Sequence, residues 1–305
     1  MEKRKKYTSK YDDALYWERV NRNLGWLGDA EEEQRFRQKK IRDVVIGLAG
    51  CGGLGGGVAE RLVRMGVRNL KLADPDTFDL SNINRQLGAT IDNVGKNKAE
   101  VVAEHVYNIT RDVNIEVYPE GIKENTVDEF FDGCDYVGEM MDIYAIDDHY
   151  TIHEGFRRSG KCKSMMYCPV IGYRMFVFKT TKKSLSMEEV YGLPKNTKQT
   201  EKYLKQVIER LIPEMPRYPK REMLDKWFID MVRCPIFAGT PPISQGIYTT
   251  RLALEITGLN DLPGVQQLPE QPGYAMFDAM TWETKIVRGK WWENENTDSI
   301  DVKET

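Results

Sequence analysis

The segment V-V-I-G-L-A-G-C-G-G-L-G-G-G, from Val44 to Gly57, constrains the fold of this chain more than any other. A short apolar run that breaks into glycines reads as a buried strand turning sharply into a helix. Gly50, Gly52 and Gly55 fill the three positions of G-x-G-x-x-G. They permit the tight turn, a close backbone approach to phosphate, and close packing of helix on strand. The following helix, about 55–65, presents its free N–H groups and positive dipole end to an anion. Asp74 stands nineteen residues beyond Gly55, at the end of L-K-L-A-D, where a carboxylate accepts from ribose hydroxyls. The pattern predicts an adenine-nucleotide site on an α/β fold of the Rossmann-like, doubly wound type.

Taken alone, the fingerprint favours an NAD- or FAD-dependent oxidoreductase. The residues after Asp74 argue against it. D-P-D-T-F-D-L-S-N-I-N-R-Q-L and V-G-K-N-K-A-E bring Arg85, Lys96 and Lys98, with the amides Asn82 and Gln86, close to the turn. A dinucleotide pyrophosphate is held mainly by helix amides. Several cations beside carboxylates suit a triphosphate with its magnesium better. The competing reading is a solvated basic face.

The stretches A-G-C-G-G-L-G, L-A-D-P-D, S-N-I-N-R-Q and V-G-K-N-K resemble the ThiF/MoeB superfamily of adenylating enzymes, relatives of the ubiquitin-activating enzyme. Upstream, E-R-V-N-R-N-L is similar to that family's arginine-bearing motif. Downstream, C-D-Y-V-G-E-M-M-D is similar to the strand whose terminal aspartate holds magnesium. Y-A-M-F-D-A-M-T-W-E-T resembles the strand that closes the family's sheet. The similarity runs from about Arg19 to Arg288.

The resemblance implies ATP and Mg²⁺ as cofactors, with Gly50, Gly52 and Gly53 lining the phosphate turn and Asp74 on the ribose. It implies Asn82, Arg85, Gln86 and Lys98 against the phosphates, and Asp142 as the magnesium residue. Arg22 would act in trans, reaching the triphosphate of the other subunit of a homodimer. Arg22, Arg85, Lys98 and Asp142 are then the catalytic set. Attack on the α-phosphorus loads its oxygens with charge, and pyrophosphate leaves as a polyanion. Fixed cations and a metal ion stabilise both, with no protein nucleophile required.

The chain also departs from the family pattern. Many members hold a structural zinc on two C-x-x-C pairs, whereas Cys51, Cys134, Cys162, Cys168 and Cys234 show no such spacing. No structural zinc is expected. Ile143 stands where the family often carries asparagine. Cys234, in M-V-R-C-P-I-F, is the candidate for a thioester-forming cysteine, against a packing role before proline. Cys168 reads as core, and Cys51 as a small side chain the turn tolerates.

At 305 residues the chain supports one large α/β unit with appendages. We expect a helical extension over 1–40 that serves as a dimer contact, then an adenylation domain over 41–305. Its sheet is mostly parallel, with an antiparallel part added toward the C-terminus. Within the extension, 1–10 reads as a frayed basic terminus and 11–40 as helical, with Trp17, Val20, Leu24 and Leu27 as its stripe. Strand and helix alternate from Val44 to about Met141. The strand bracketed by Asp135 and Asp142 puts Asp142 at a carboxyl end, where such sheets bind ligands. A helix is expected over 148–159, strand structure over 164–179 with a bend at Gly172, and a helix over 243–256 ended by Gly258.

Residues 182–233 break the rhythm and are assigned to a crossover that recognises substrate, against a solvated insertion. They hold a lysine-rich helix over 200–211 and prolines at 213, 216 and 219. His149 and His153 share a helix face, a spacing that metals use, but no third ligand is evident, so packing or surface roles are expected. His105 reads as structural. Trp291 and Trp292 read as packing the domain end, before a solvated acidic tail. A net charge of −3 supplies no global field for nucleic acid. No apolar run approaches the roughly 18 residues of a membrane span, and a cytoplasmic protein is expected.

The superfamily charges sulfur-carrier and ubiquitin-like proteins, peptides made into antibiotics, and a threonylcarbamoyl group on tRNA. Missing zinc pairs and a doubtful thioester cysteine count against carrier activation. The charge balance counts against tRNA, although Lys182, Lys183, Lys195, Lys198, Lys202 and Lys205 could form a local patch. What remains resembles the peptide-modifying branch, with microcin-type and pantocin-type products. A precursor peptide is therefore the expected partner, its terminal or glutamate side-chain carboxylate being activated and then captured intramolecularly. An oxidoreductase and a non-catalytic partner subunit stay open as readings of other classes.

Overall fold

The computed structural model describes residues 4–293. The chain runs through β1 (Lys6–Tyr7), α1 (Asp13–Leu24), α2 (Glu31–Asp43), β2 (Val45–Ala49), α3 (Gly55–Met65), β3 (Asn69–Ala73) and α4 (Lys98–Thr110). It continues through β4 (Asn114–Tyr118), α5 (Val127–Phe131), β5 (Tyr136–Glu139), α6 (Ile146–Arg158), β6 (Ser164–Tyr167), β7 (Val170–Ile171) and β8 (Arg174–Thr180). The last elements are α7 (Met187–Tyr191), α8 (Glu201–Leu211), α9 (Arg221–Asp225), α10 (Thr240–Thr257), β9 (Tyr274–Asp278) and β10 (Glu283–Val287).

Among the described residues, ten strands form one sheet in the order β1-β4-β3-β2-β5-β6-β8-β9-β10, with β7 beside β8. The run from β4 to β6 is parallel, and the pairs beyond β6 are antiparallel. The mixed sheet with an antiparallel C-terminal part is the expected architecture. β2 and β3 are buried apolar runs such as parallel strands covered on both faces require. From β2 the chain winds one way to β3 and β4, and later the other way through β5 and β6. The carboxyl ends of β2 and β5 therefore flank a switch point, where doubly wound sheets leave a crevice. The amide of Met140 donates to Ala49 O at 2.7 Å, and that of Gly50 to Ala73 O at 2.7 Å, which fixes the three strand ends in register.

Three apolar clusters hold the layers together. One joins β2 and β3 to α3, α4 and α10 through Leu48, Leu62, Val102 and Tyr248. A second lies under α5 and α6 around Phe130 and Phe156. The third packs the 182–233 region onto β8–β10 through Tyr191, Ile208, Phe176 and Tyr274. Burying each such side chain contributes roughly 1.5–3 kcal/mol. The crossover thus carries part of the core, and polar contacts reinforce it. Glu214 accepts from Tyr274 Oη at 2.8 Å and from Lys285 Nζ at 3.1 Å, and the buried Arg174 reaches both Glu214 and Asp278.

Some expectations need correction. The 11–40 stretch is two helices, because the chain turns between Gly25 and Ala30, where Arg37 Nη1 donates to Leu27 O at 2.6 Å. The fully buried residue of α1 is Tyr16, beside Val20, rather than Trp17. Lys6–Tyr7 is not frayed but pairs antiparallel with β4. Met1–Lys3 and the acidic tail over 294–305 lie outside the described residues. Trp291 and Trp292 meet edge to face, with the Arg210 guanidinium 4.0 Å from the ring centre of Trp292. Among the described residues, no helix is long and apolar enough to cross a membrane.

Candidate nucleotide site

The glycine turn opens directly off β2. Gly50 has φ +104°, a left-handed conformation that L side chains rarely adopt, and an added Cβ there would fall on Met140 O. At Gly55 a Cβ would fall on Gly50 O. The first turn of α3 packs that closely on the strand end, and this proximity brings its free N–H groups over the switch point. Gln245, from α10, braces the turn by donating its Nε2 proton to Gly53 O at 2.6 Å. No signal near residue 53 announces that contact, since it comes from the far end of the chain.

Asp74 lies at the end of β3 and is buried. Its Oδ2 accepts from Cys51 N at 2.6 Å and its Oδ1 from Asp76 N at 2.9 Å. Burial pushes its carboxyl above the ordinary value, opposed by the Cys51 amide and by the charge of Lys98. Each oxygen keeps a free lone pair for a further donor. Asn97 caps α4, accepting from Glu100 N at 3.1 Å, while its Nδ2 bridges the main-chain oxygens of Asp74, Asp76 and Pro119. That cap sets Lys98 at the first turn of α4, buried, with Nζ 2.8 Å from Asp76 Oδ2.

A cavity of about 320 Å³ joins these parts. Gly50, Gly52, Gly53, Asp74, Arg85, Gln86, Lys98 and Asp142 all line it, with Asp76, Tyr167, Cys234 and Ile236. Gly52 faces the Gln86 amide and Gly53 faces Arg85, whose nearest atoms lie 3.4 and 3.6 Å from where a Cβ would stand. Gln86 Oε1 and Arg85 Nε are buried without partners. Burial lowers the Arg85 guanidinium, offset by Cys234 and Asp142, and it stays charged in any ordinary solution. A cradle of bare backbone, unpaired polar atoms and two cations fits a polyphosphate. Asp142 follows β5 and is exposed, its Oδ1 accepting from Tyr144 N at 3.0 Å. A magnesium ion carried by a triphosphate takes one or two protein carboxylates, and Asp142 would supply one.

Two assigned residues stand elsewhere. Asn82 Oδ1 accepts from Asp79 N at 3.1 Å in a reciprocal cap of the short 80–82 turn, and Asn82 does not line the cavity. Arg22 is exposed on α1 and does not line it either. Tyr16 Oη of α1 donates to Gly66 O, and Gly66 caps the far end of α3, roughly 16 Å along the helix from the glycine turn. Lys96 bonds Asn93 Oδ1 at 3.1 Å on the surface.

Cys234 lies at the exit of the crossover and lines the cavity. Burial pushes its thiol up to about 12, so it is not a thiolate at neutral pH. The other four cysteines are buried, as the readings of Cys51 and Cys168 required. Asn84 Nδ2 donates to Ile236 O at 3.2 Å and ties the crossover exit to the 80–86 loop. The lysine patch is reduced: Lys182 donates to the last carbonyls of α6, and Lys195 pairs with Glu124 at 2.9 Å and Glu154 at 2.8 Å. His105 faces Glu60 at 3.5 Å on the surface. His149 and His153 are buried on one carboxylate, Glu139, a residue that no motif in the chain singles out.

Comparison with known proteins agrees with this geometry. Residues 20–156 match the model of the ThiF family. The tRNA threonylcarbamoyladenosine dehydratase of Bacillus subtilis (strain 168) is 32% identical over 114 residues, 37% of this chain and 43% of that protein. The chain thus spans less than half the length of that curated relative. Among solved structures, selenomethionine PaaA superposes with a TM-score of 0.65 at 18% identity, covering 92% of this chain and 76% of that one. Escherichia coli MccB crystallised with ATP gives 0.62 at 15% identity, covering 88% and 71%. Such identities show a shared fold. The glycine turn, the rim from Asp74 to Lys98 and the end of β5 all fall within residues 20–156, the stretch that is similar to the ThiF family.

Proposed function

We propose that this chain is an ATP-dependent adenylating enzyme that activates a carboxylate of a peptide. One carboxylate oxygen bonds to the α-phosphorus, the bond from that phosphorus to the β-phosphate bridging oxygen breaks, and pyrophosphate leaves. The observation that carries this reading is the convergence of Arg85, Lys98, Gln86 and Asp142 on bare glycine backbone at the switch point. Arg85 and Lys98 stand where charge develops on the phosphates. Each such contact is worth on the order of 10²-fold in rate. Asp142 would hold a magnesium ion together with the phosphates, and that ion would supply charge withdrawal from the leaving pyrophosphate.

The rest of the cavity supports a peptide as acyl donor. Pro169, Val170, Ile171, Ile143, Ile236 and Pro241 line it, an apolar surface suited to side chains flanking a carboxylate. Asn84 holds the crossover exit beside it. The sequence also resembles the peptide-modifying branch of the superfamily. Arg22, remote from its own chain's cavity, is assigned to the site of a second copy in a homodimer. The exposed Leu15, Trp26 and Phe36 on and beside α1 offer apolar contact area for that copy.

A tRNA substrate is the second reading, favoured by the Bacillus subtilis relative. Pyrophosphate exchange separates the two. Labelled pyrophosphate should enter ATP only with Mg²⁺ and an acidic precursor peptide, ideally one encoded beside this gene. Exchange that needs tRNA or a carrier protein instead would replace the peptide, and a nicotinamide absorbance change without ATP would remove adenylation.

A further inference from the structure

Behind the cavity, outside its lining, lies a buried charged cluster that the proposed chemistry does not use. Glu139 ends β5 at 2% exposure. Its Oε1 meets His149 Nδ1, and its Oε2 lies 3.1 Å from His153 Nε2. The other nitrogen of His149, Nε2, lies 3.0 Å from the main-chain oxygen of Asp142.

A carboxylate and a carbonyl only accept, so both ring nitrogens of His149 must donate and the ring is an imidazolium. Burial alone would raise Glu139, yet His153 and His149 together hold it far below the usual carboxylate range. His153 needs only one proton to bond Glu139, and its Nδ1 is buried without a partner. The pair thus takes two different parts: one ring spans from Glu139 to Asp142, and the other ends on Glu139.

The Asp142 carbonyl also accepts from Ala145 N at 2.9 Å. Together with the Tyr144 amide on its side chain, these bonds fold residues 142–145 into one turn at the mouth of the crevice. We infer that His149 is a positioning residue for Asp142, and that Glu139 orients His149 for this task. The inference rests on the proposed function, because it is as the magnesium residue that Asp142 has an orientation worth fixing. Partners one step behind a metal-binding carboxylate tune its grip, and losing one typically weakens metal affinity 10- to 100-fold. With the histidine nitrogens directly on the Glu139 oxygens, the cluster leaves no place for a metal of its own.

The test is calorimetric binding of ATP to the purified full chain across Mg²⁺ concentrations, with His149→Gln, Glu139→Gln and His153→Gln. The half-saturating Mg²⁺ concentration should rise about 10- to 100-fold in His149→Gln and Glu139→Gln. Saturating Mg²⁺ should bring ATP affinity back to within a few-fold of wild type. His153→Gln should melt at lower temperature yet keep the wild-type Mg²⁺ dependence, which a purely structural cluster would not distinguish. Unchanged Mg²⁺ dependence in His149→Gln overturns the inference, as does an equal rise in all three variants or a stoichiometric transition metal in the wild type. Should His149→Gln fail to fold, the isosteric Glu139→Gln decides by the same criterion. A wild type that binds ATP without regard to Mg²⁺ removes the role of Asp142, whereas one that binds no ATP removes the proposed function itself.

Discussion

The ammonium of Lys98 lies 2.8 Å from the Asp76 carboxylate, a pair in which the cation is buried and the anion is two-thirds exposed. The asymmetry decides what each contributes. Lys98 is fixed by the α4 cap and held in the cavity, while Asp76 is solvated and screened. Lys98→Ala should lower pyrophosphate exchange on the order of 10²-fold. Asp76→Asn should change it only a few-fold, and both are read by exchange rates at fixed Mg²⁺.

Asp142→Ala should abolish Mg²⁺-dependent exchange while leaving the melting temperature within a few degrees. The side chain is exposed and makes one bond, to the Tyr144 amide, so its removal costs little stability. Normal exchange in this variant would remove the metal assignment.

Arg22→Ala and Lys98→Ala chains, each impaired alone, should recover part of the activity when mixed. In a mixed dimer, one site receives an intact Arg22 beside an intact Lys98. Exchange rates measured across mixing ratios, with subunit exchange confirmed by mass, check this. No recovery at any ratio would leave Arg22 without a role in trans.

Cys234→Ser should keep most activity. A thiol pushed up to about 12 is protonated across the physiological range, and its nucleophilic form gains population only as pH rises toward that value. Iodoacetamide labelling of Cys234 should therefore be slow at pH 8 and accelerate up to pH 10. Fast labelling at neutral pH, or a trapped thioester at this residue, would reverse the assignment.

What the sequence disclosed about the site is what local chemistry determines. The glycine turn, Asp74 and Asp142 each sit where a strand ends, and a strand end shows within a few residues as apolar run, glycine and acid. Lys98 was flagged by its resemblance, and the Asn97 cap that sets it in place shows only in the structure. Gln245, Ile236 and the Glu139 cluster were invisible, since each meets the site through distant packing. Asn82 was misplaced for a different reason. Its amide satisfies the Asp79 amide in its own turn, a local competition that a resemblance to phosphate-binding positions does not reveal. In the N-terminal extension, Gly25 and Gly28 did carry the signal that splits α1 from α2, and the helical pattern on either side masked it.

The contact of Gly55 on Gly50 has a lasting consequence for how such a chain can vary. The atoms that join α3 to the central strand are the same atoms that would grip the nucleotide, so neither job can be retuned without upsetting the other. Adaptation to a new guest must then enter from the rim, through Arg85, Gln86 and the arm ending at Ile236, while the hub stays frozen.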